Sequence, residues 1–127
     1  MKIQKFEDLK VWQDARVFVN EIYRLTSNDK FRMDFGFKDQ IQRASVSIMN
    51  NIAEGFERDN NKEFIKFLIY SKGSAGEVRS LIYLAFDLKY ISHEEFIKII
   101  EHSIDIIKQI SKFISYLRTN IQTRNNN

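Results

Sequence analysis

The sequence predicts an all-α protein, an antiparallel up-down-up-down four-helix bundle. Apolar residues recur at steps of three and four along most of the chain, and no stretch alternates apolar and polar residues as a half-buried strand does. Proline is absent and only four glycines occur among 127 residues, so few positions break a helix. The turns predicted after the second and third helices are short, which makes consecutive helices antiparallel neighbours.

The chain is long enough to bury the core of one domain, which we assign to residues 1–127. Within it, the apolar periodicity predicts helices over residues 8–26, 37–57, 62–88 and 93–119, followed by a polar tail over 120–127. The residues expected in the core are Trp12, Ile48, Ile52, Leu68, Leu81, Ile100 and Ile107.

Capping signals support two of the helix starts. Asn60 stands three residues before Glu63, which resembles a capping box with asparagine as the cap. Ser92 and Glu95 form a regular capping box at the start of the fourth helix. We therefore expect short turns before both helices.

Small residues indicate where two helices pack closely. Ala44, Ser45 and Ala53 lie in the second helix, and Gly73 and Gly76 fall in the middle of the third. A glycine inside a helix costs ~1 kcal/mol relative to alanine. We expect a close contact between the two small surfaces to compensate for that cost.

The composition argues against an enzyme. The chain has no cysteine, which removes disulfides and thiolate chemistry. His93 and His102 are the only histidines, and neither follows a glutamate by three residues as a carboxylate-bridged di-metal site in a bundle requires. We expect no catalytic, cofactor-binding or metal-binding residues and two exposed histidines. No apolar run approaches the ~20 residues of a membrane span, and no signal-peptide core occurs, so we expect a cytoplasmic protein without a membrane partner.

Two carboxylates in adjacent helices, Glu54 and Glu77, could perform acid–base chemistry as a pair. The favoured interpretation is structural, because a buried charge needs a partner. The available donors are Arg43, Arg79, Asn50, Asn51 or a neighbouring subunit. We therefore assign Arg43, Asn51, Glu54 and Glu77 as structural polar residues.

Positive charge is concentrated towards the C-terminus. The formal net charge is only +3, but no acidic residue follows Asp105. Cations there either complement the dipole of the last helix or bind a polyanion, and both interpretations remain open. The candidate phosphate contacts are Lys108, Lys112, Arg118 and Arg124, with Lys66 and Lys72 less favoured.

The first and fourth helices carry a second line of apolar residues beside their core stripes. A bundle helix that buries one stripe would leave such lines in water, and self-association would cover them. A broad core face within one chain is the alternative. The predicted oligomer interface comprises Val11, Phe18, Leu25, Ile99, Ile106 and Phe113.

Three linked motifs carry a resemblance over roughly residues 6–118. Their matching positions are Leu9, Trp12 and Gln13; Gln40–Ala44, Ser47, Ile48 and Asn51–Gly55; and Phe64, Phe67, Leu68, Gly73, Ser74 and Glu77. This pattern resembles the family of four-helix-bundle proteins encoded in intervening sequences of bacterial 23S rRNA genes. The family commonly has proline between its first two helices, where this chain has Phe31-Arg32, so that loop is expected to differ.

The resemblance implies a non-enzymatic homo-oligomer, a ring of five bundles, with RNA or a ribonucleoprotein as partner and no evident small-molecule substrate. A similar protein assists the reverse transcriptase of diversity-generating retroelements, which gives one alternative function. A purely protein-binding scaffold is the other.

Overall fold

The computed structural model describes the backbone of residues 3–126 and the side chains of residues 3–120, and all regular structure in that part is helical. Two 3-10 turns, Phe6–Asp8 and Phe31–Met33, precede and follow the first helix. Each helix packs against two others, so the four helices form a closed bundle. The contact between α1 and α4 is the least extensive of the four helix–helix contacts. This arrangement is the predicted up-down-up-down bundle, with α1 over Lys10–Leu25, α2 over Phe35–Glu57, α3 over Asn61–Asp87 and α4 over His93–Asn126.

Side-chain caps begin three of the helices. The Glu63 backbone N–H donates to Asn60 Oδ1 at 3.1 Å. The Ser92 N–H donates to Glu95 Oε1 at 2.8 Å while the Glu95 N–H donates to Ser92 Oγ at 3.0 Å, the reciprocal pair expected of a capping box. At the start of α2, Asp34 Oδ1 accepts from the Phe37 N–H at 3.3 Å, which explains a start two residues before the predicted one.

The fourth helix extends to Asn126 rather than ending at residue 119. The predicted end followed the last apolar core position, but the residues beyond it include no glycine or proline to stop a helix. The prediction of a separate polar tail is therefore wrong as far as Asn126. The side chains of residues 121–127, Arg124 among them, lie outside the described part.

The predicted core is largely confirmed. Trp12, Ile48, Ile52, Leu68 and Ile100 are buried, whereas Leu81 and Ile107 are half-buried. A further buried set comes from helix faces that the core prediction did not include.

The second apolar lines of α1 and α4 belong to this further set. Phe18 and Ile106 are completely buried, and the half-buried Phe113 ring packs edge-on against Phe64 of α3. Each helix in a closed four-helix bundle faces two neighbouring helices, so its apolar surface is broader than one stripe. The prediction that these lines lack cover within one chain is wrong. The six residues concerned are Val11, Phe18, Leu25, Ile99, Ile106 and Phe113.

The close contact between α2 and α3 uses different small residues from those expected. Gly73 and Gly76 are exposed, and a Cβ added at either would meet nothing within 4 Å. A Cβ on Gly55 would instead lie 2.7 Å from Phe67 Cβ. The buried Ser71 hydroxyl donates to the Ile48 carbonyl at 2.7 Å, which ties the two backbones together. The predicted packing of Gly73 and Gly76 is wrong because both point away from α2.

The loop between α1 and α2 is tied to the turn between α3 and α4. Asn28 Nδ2 donates to the Tyr90 carbonyl at 2.7 Å, and the Tyr90 hydroxyl donates to Asp34 Oδ2 at 2.8 Å. The hydrogen bond to Asp34 is the main reason that the pKa of the Tyr90 hydroxyl is raised, and burial is a smaller reason. Phe31, which stands in the Phe31-Arg32 pair, is fully buried against the rings of Phe37 and Tyr90. Aromatic packing therefore holds the loop between α1 and α2 in place.

Candidate nucleic-acid interface

Three of the four predicted phosphate contacts lie on the exposed surface of α4. Lys108, Lys112 and Arg118 are exposed, and none has a carboxylate within ion-pair distance among the described side chains. Lys108 and Lys112 are one turn apart on the same face, with Cβ atoms ~6 Å apart. At 3.6 residues per turn, Arg118 lies about 80° round the helix from Lys108 and about 120° from Lys112, on the side nearer α3. The three cations therefore form a broad band and not a single row.

A shallow groove of about 390 Å³ runs beside Lys112, between the N-terminal half of α1 and the C-terminal half of α4. One end is marked by Gln109, whose amide donates to Asp14 Oδ2 at 2.7 Å and to Asp105 Oδ2 at 2.8 Å. We call this feature the α1–α4 groove, and its lining residues are Lys10, Val11, Gln109, Lys112, Phe113 and Tyr116.

Sequence reasoning missed Lys10 and Tyr116. Both are exposed, and Tyr116 follows Lys112 by one turn, so its position on the same face of α4 was available from the spacing. Lys10 comes from the other end of the chain, and its place beside Lys112 depends on the packing of α1 against α4.

The motif residues of α2 form a small polar network with α3. Asn51 Nδ2 donates to the Ser47 carbonyl at 2.8 Å and to Ser47 Oγ at 2.9 Å. The Ser47 and Ser74 hydroxyls are 2.9 Å apart, which links the two helices. Asn51 therefore has a structural contact, directed at serine and not at a carboxylate.

Glu54 and Glu77 are the predicted structural carboxylates, but no hydrogen bond or ion pair joins either to its expected donors among the described side chains. Glu54 Oε1 lies 3.3 Å from Arg58 Nη2, and Arg43 pairs with Asp39 at 2.9 Å. Both ion pairs are exposed and join residues at i, i+4 spacing, one inside α2 and one between α2 and its C-cap Arg58, and such pairs contribute little stability. Glu77 is exposed, and no ion pair joins it to another described residue.

The two histidines differ. His93 is exposed as expected, but His102 is half-buried, with Nδ1 3.2 Å from Glu21 Oε2 and its ring edge-on to Phe18. The prediction of an exposed His102 is wrong because α1 covers this side of α4.

A cleft of about 240 Å³ lies near His102, between α1 and the start of α4. It carries charges of both signs, so it does not select an anion. Its lining residues are Glu21, Arg24, Leu25, Asn28, Glu95, Lys98 and Ile99. No cluster able to hold a metal ion occurs among the described residues.

The side of α3 that faces away from the bundle is exposed, and between Ile69 and Leu84 it is uncharged along its centre. Its residues recur at steps of three and four, with Tyr83 and Leu84 both one turn after Ser80, so they share one face. Glu77 borders this face on the α2 side, and Lys72 and Arg79 border it on the α4 side. We call it the outer face of α3, and its central residues are Ile69, Gly73, Gly76, Ser80, Tyr83 and Leu84.

None of the helices, over the residues that the structure describes, combines the length and apolar character needed to cross a membrane.

The comparisons with known proteins agree on one family. A family model described as 23S rRNA-intervening sequence protein matches residues 7–112. A solved structure from Bacteroides thetaiotaomicron, described as a protein with unknown function from the S23 ribosomal protein family, is 26% identical with a TM-score of 0.75. The match covers 82% of this chain and 97% of that one. No curated protein matches. The chain belongs to the family of 23S rRNA-intervening sequence proteins.

Proposed function

We propose that this chain is a non-enzymatic, self-associating bundle that binds RNA or a ribonucleoprotein through the cations of α4. The observation that carries the proposal is the exposed band of Lys108, Lys112 and Arg118, which has no carboxylate partner among the described side chains. Arg124 continues the same charge in the sequence. The description of the family as 23S rRNA-intervening sequence proteins is compatible with RNA as the polyanion.

The chemistry of this band is that of phosphate binding. Lysine and arginine that meet phosphates release counterions, so the affinity falls as salt rises and depends little on base sequence. The dipole of α4 attracts cations to its C-terminal end, but the last turn lies beyond Lys108 and Lys112. The dipole therefore does not account for the positions of these two lysines.

Self-association through the outer face of α3 is the second part of the proposal. The α1 and α4 lines are covered within the chain, whereas Ile69, Tyr83 and Leu84 remain 45–48% exposed. Gly73 and Gly76 lie between these residues, and each glycine lowers the stability of the isolated helix by ~1 kcal/mol relative to alanine. The close approach of another helix would offset that cost. The outer face of α3 in a second copy fits this requirement.

The charges at the borders favour a rotational arrangement. If two copies are related by rotation about an axis parallel to α3, the Glu77 border of one meets the Lys72 and Arg79 border of the other. An antiparallel pairing would set like charges together, which is unfavourable. A closed ring satisfies the favourable pairing repeatedly, in keeping with the ring of five that the family resemblance implies.

The RNA part is tested by filter retention of labelled single-stranded RNA at low salt. We expect the variant with Lys108→Glu, Lys112→Glu and Arg118→Glu to lose retention, because each reversal replaces a phosphate attraction with repulsion. A control variant reverses the exposed Lys30, Lys89 and Lys98 at the other end of the bundle, which changes the net charge equally. Equal retention by the two variants would contradict the proposal.

A protein-binding scaffold is the second candidate function, and the uncharged outer face of α3 favours it. In that case the unmodified protein would bind no RNA even at low salt, and the same filter assay decides between the two functions.

A further inference from the structure

The α1–α4 groove combines three features in one place. Its floor is apolar, from the buried Val11 and the half-buried Phe113. Tyr116 is 61% exposed, so much of its ring is open to solvent. Lys10 on α1 and Lys112 on α4 line the same groove, and neither has an ion-pair partner among the described side chains.

We infer that the α1–α4 groove holds one unstacked base of single-stranded RNA against the ring of Tyr116, with Lys10 and Lys112 on the flanking phosphates. This inference rests on the proposed RNA binding and gives it a location and a preferred form of RNA. Proteins that bind single strands combine stacking on aromatic rings with a positively charged groove, and stacking accepts any base because every base has a π-face.

The charges favour RNA over a second copy of the chain as the occupant. An apolar protein surface laid over the groove would remove Lys10 and Lys112 from water without a partner, which is unfavourable. The nearby carboxylates of Asp14 and Asp105 both accept from the Gln109 amide, so they are engaged at one end of the groove. We place the phosphates towards the lysines and away from this end.

The groove also discriminates between single and double strands. Bases in an RNA duplex remain paired and stacked, and proteins meet such duplexes through the backbone and the shallow minor groove. Tyr116 therefore contributes to binding of a single strand only, while the lysines contribute to both forms.

The test compares the affinity of the full chain for a short oligouridylate with its affinity for an RNA duplex that has the same number of phosphates. Stacking on one aromatic ring, removed by alanine substitution, corresponds to a roughly ten- to hundred-fold change in affinity. We expect Tyr116→Ala to lose that factor for oligouridylate and nothing for the duplex, and Tyr116→Phe to keep both affinities. Tyr23→Ala removes a comparably exposed tyrosine near the other end of α1 and serves as the control.

The outcomes separate the inference from the proposed function. If Tyr116→Ala binds oligouridylate as tightly as the unmodified protein does, the groove does not hold a base, although RNA binding by the α4 cations stands. If the unmodified protein binds neither RNA, both proposals fail. If Tyr116→Ala lowers the mass of the assembly and its RNA affinity for both forms equally, the groove is a contact between copies and the inference is overturned.

Discussion

Gly55 and Gly73 have opposite roles, although both lie inside long helices. Gly55 is buried where α2 meets α3, and the first atom of any side chain there would lie 2.7 Å from Phe67 Cβ and 3.0 Å from Phe64 Cδ1. The Phe67 Cβ is attached to the backbone, so the helices themselves must move apart. Gly73 faces open space within the single chain.

We expect Gly55→Ala to destabilise the fold by ~1–3 kcal/mol, the usual cost of overpacking a well-packed contact. Gly73→Ala should stabilise the dissociated chain by up to ~1 kcal/mol, because alanine is the better helix former and meets no obstacle. Urea unfolding followed by the fluorescence of Trp12, at the lowest usable protein concentration, measures both. Equal effects of the two substitutions would show that the assignment of the close contact to Gly55 is wrong.

At the scale of the element, the end of α3 contains a residue poorly suited to its backbone. Lys89 has φ 62°, in the left-handed region that favours glycine. Its N–H donates to the Phe86 carbonyl at 3.0 Å, and the Tyr90 N–H donates to the Ala85 carbonyl at 2.9 Å, the two bonds of a Schellman motif. Asp59, at the end of α2, also has a positive φ of 53°.

We expect Lys89→Gly to raise the free energy of unfolding by about 1 kcal/mol, because a side chain in the left-handed conformation costs ~1–2 kcal/mol that glycine avoids. Asp59→Gly should give a smaller gain, since aspartate tolerates this conformation better than lysine does. Thermal unfolding monitored by circular dichroism provides the measurement. A loss of stability in Lys89→Gly would mean that contacts of the lysine stem outweigh the strain.

The helices and their caps could be predicted because they depend on neighbours in sequence. The Ser92–Glu95 capping box and the Asn60 cap lie within three residues of their partners, and both are present. The contact of His102 with Glu21 joins residues that are 81 positions apart, so no local sequence pattern predicts it. Similarly, periodicity shows that Phe18 lies on an apolar line but not how many helices surround α1. The candidate site was predicted in part, since the α4 cations are local and Lys10 is not.

At the scale of the whole molecule, the bundle covers three of the surfaces around α3 and leaves the fourth open. The core, α2 and α4 account for its buried and half-buried side chains, while the outer face of α3 stays largely exposed, with Tyr83 edge-on to Phe96 of α4 at its border. A contiguous exposed apolar surface is a typical feature of contact sites. The assembly that we propose follows from this open face.

We expect light scattering on a sizing column to give a mass several times the 15.2 kDa of one chain. Substituting Ile69→Glu and Leu84→Glu should lower that mass and keep the helical content, because both side chains are exposed in the single chain. Val17→Glu, an exposed position on α1, is the control and should leave the mass unchanged. A mass of one chain for the unmodified protein would end the proposal of self-association.

The salt dependence of RNA affinity tests the central claim, that Lys108, Lys112 and Arg118 bind phosphates, most directly. For single strands, the slope of log affinity against log salt is about −0.7 per phosphate contacted. The variant with all three residues changed to glutamine should therefore have a slope shallower by about 2. The corresponding glutamine variant of Lys30, Lys89 and Lys98 should keep the slope of the unmodified protein. An unchanged slope in the first variant would contradict the account.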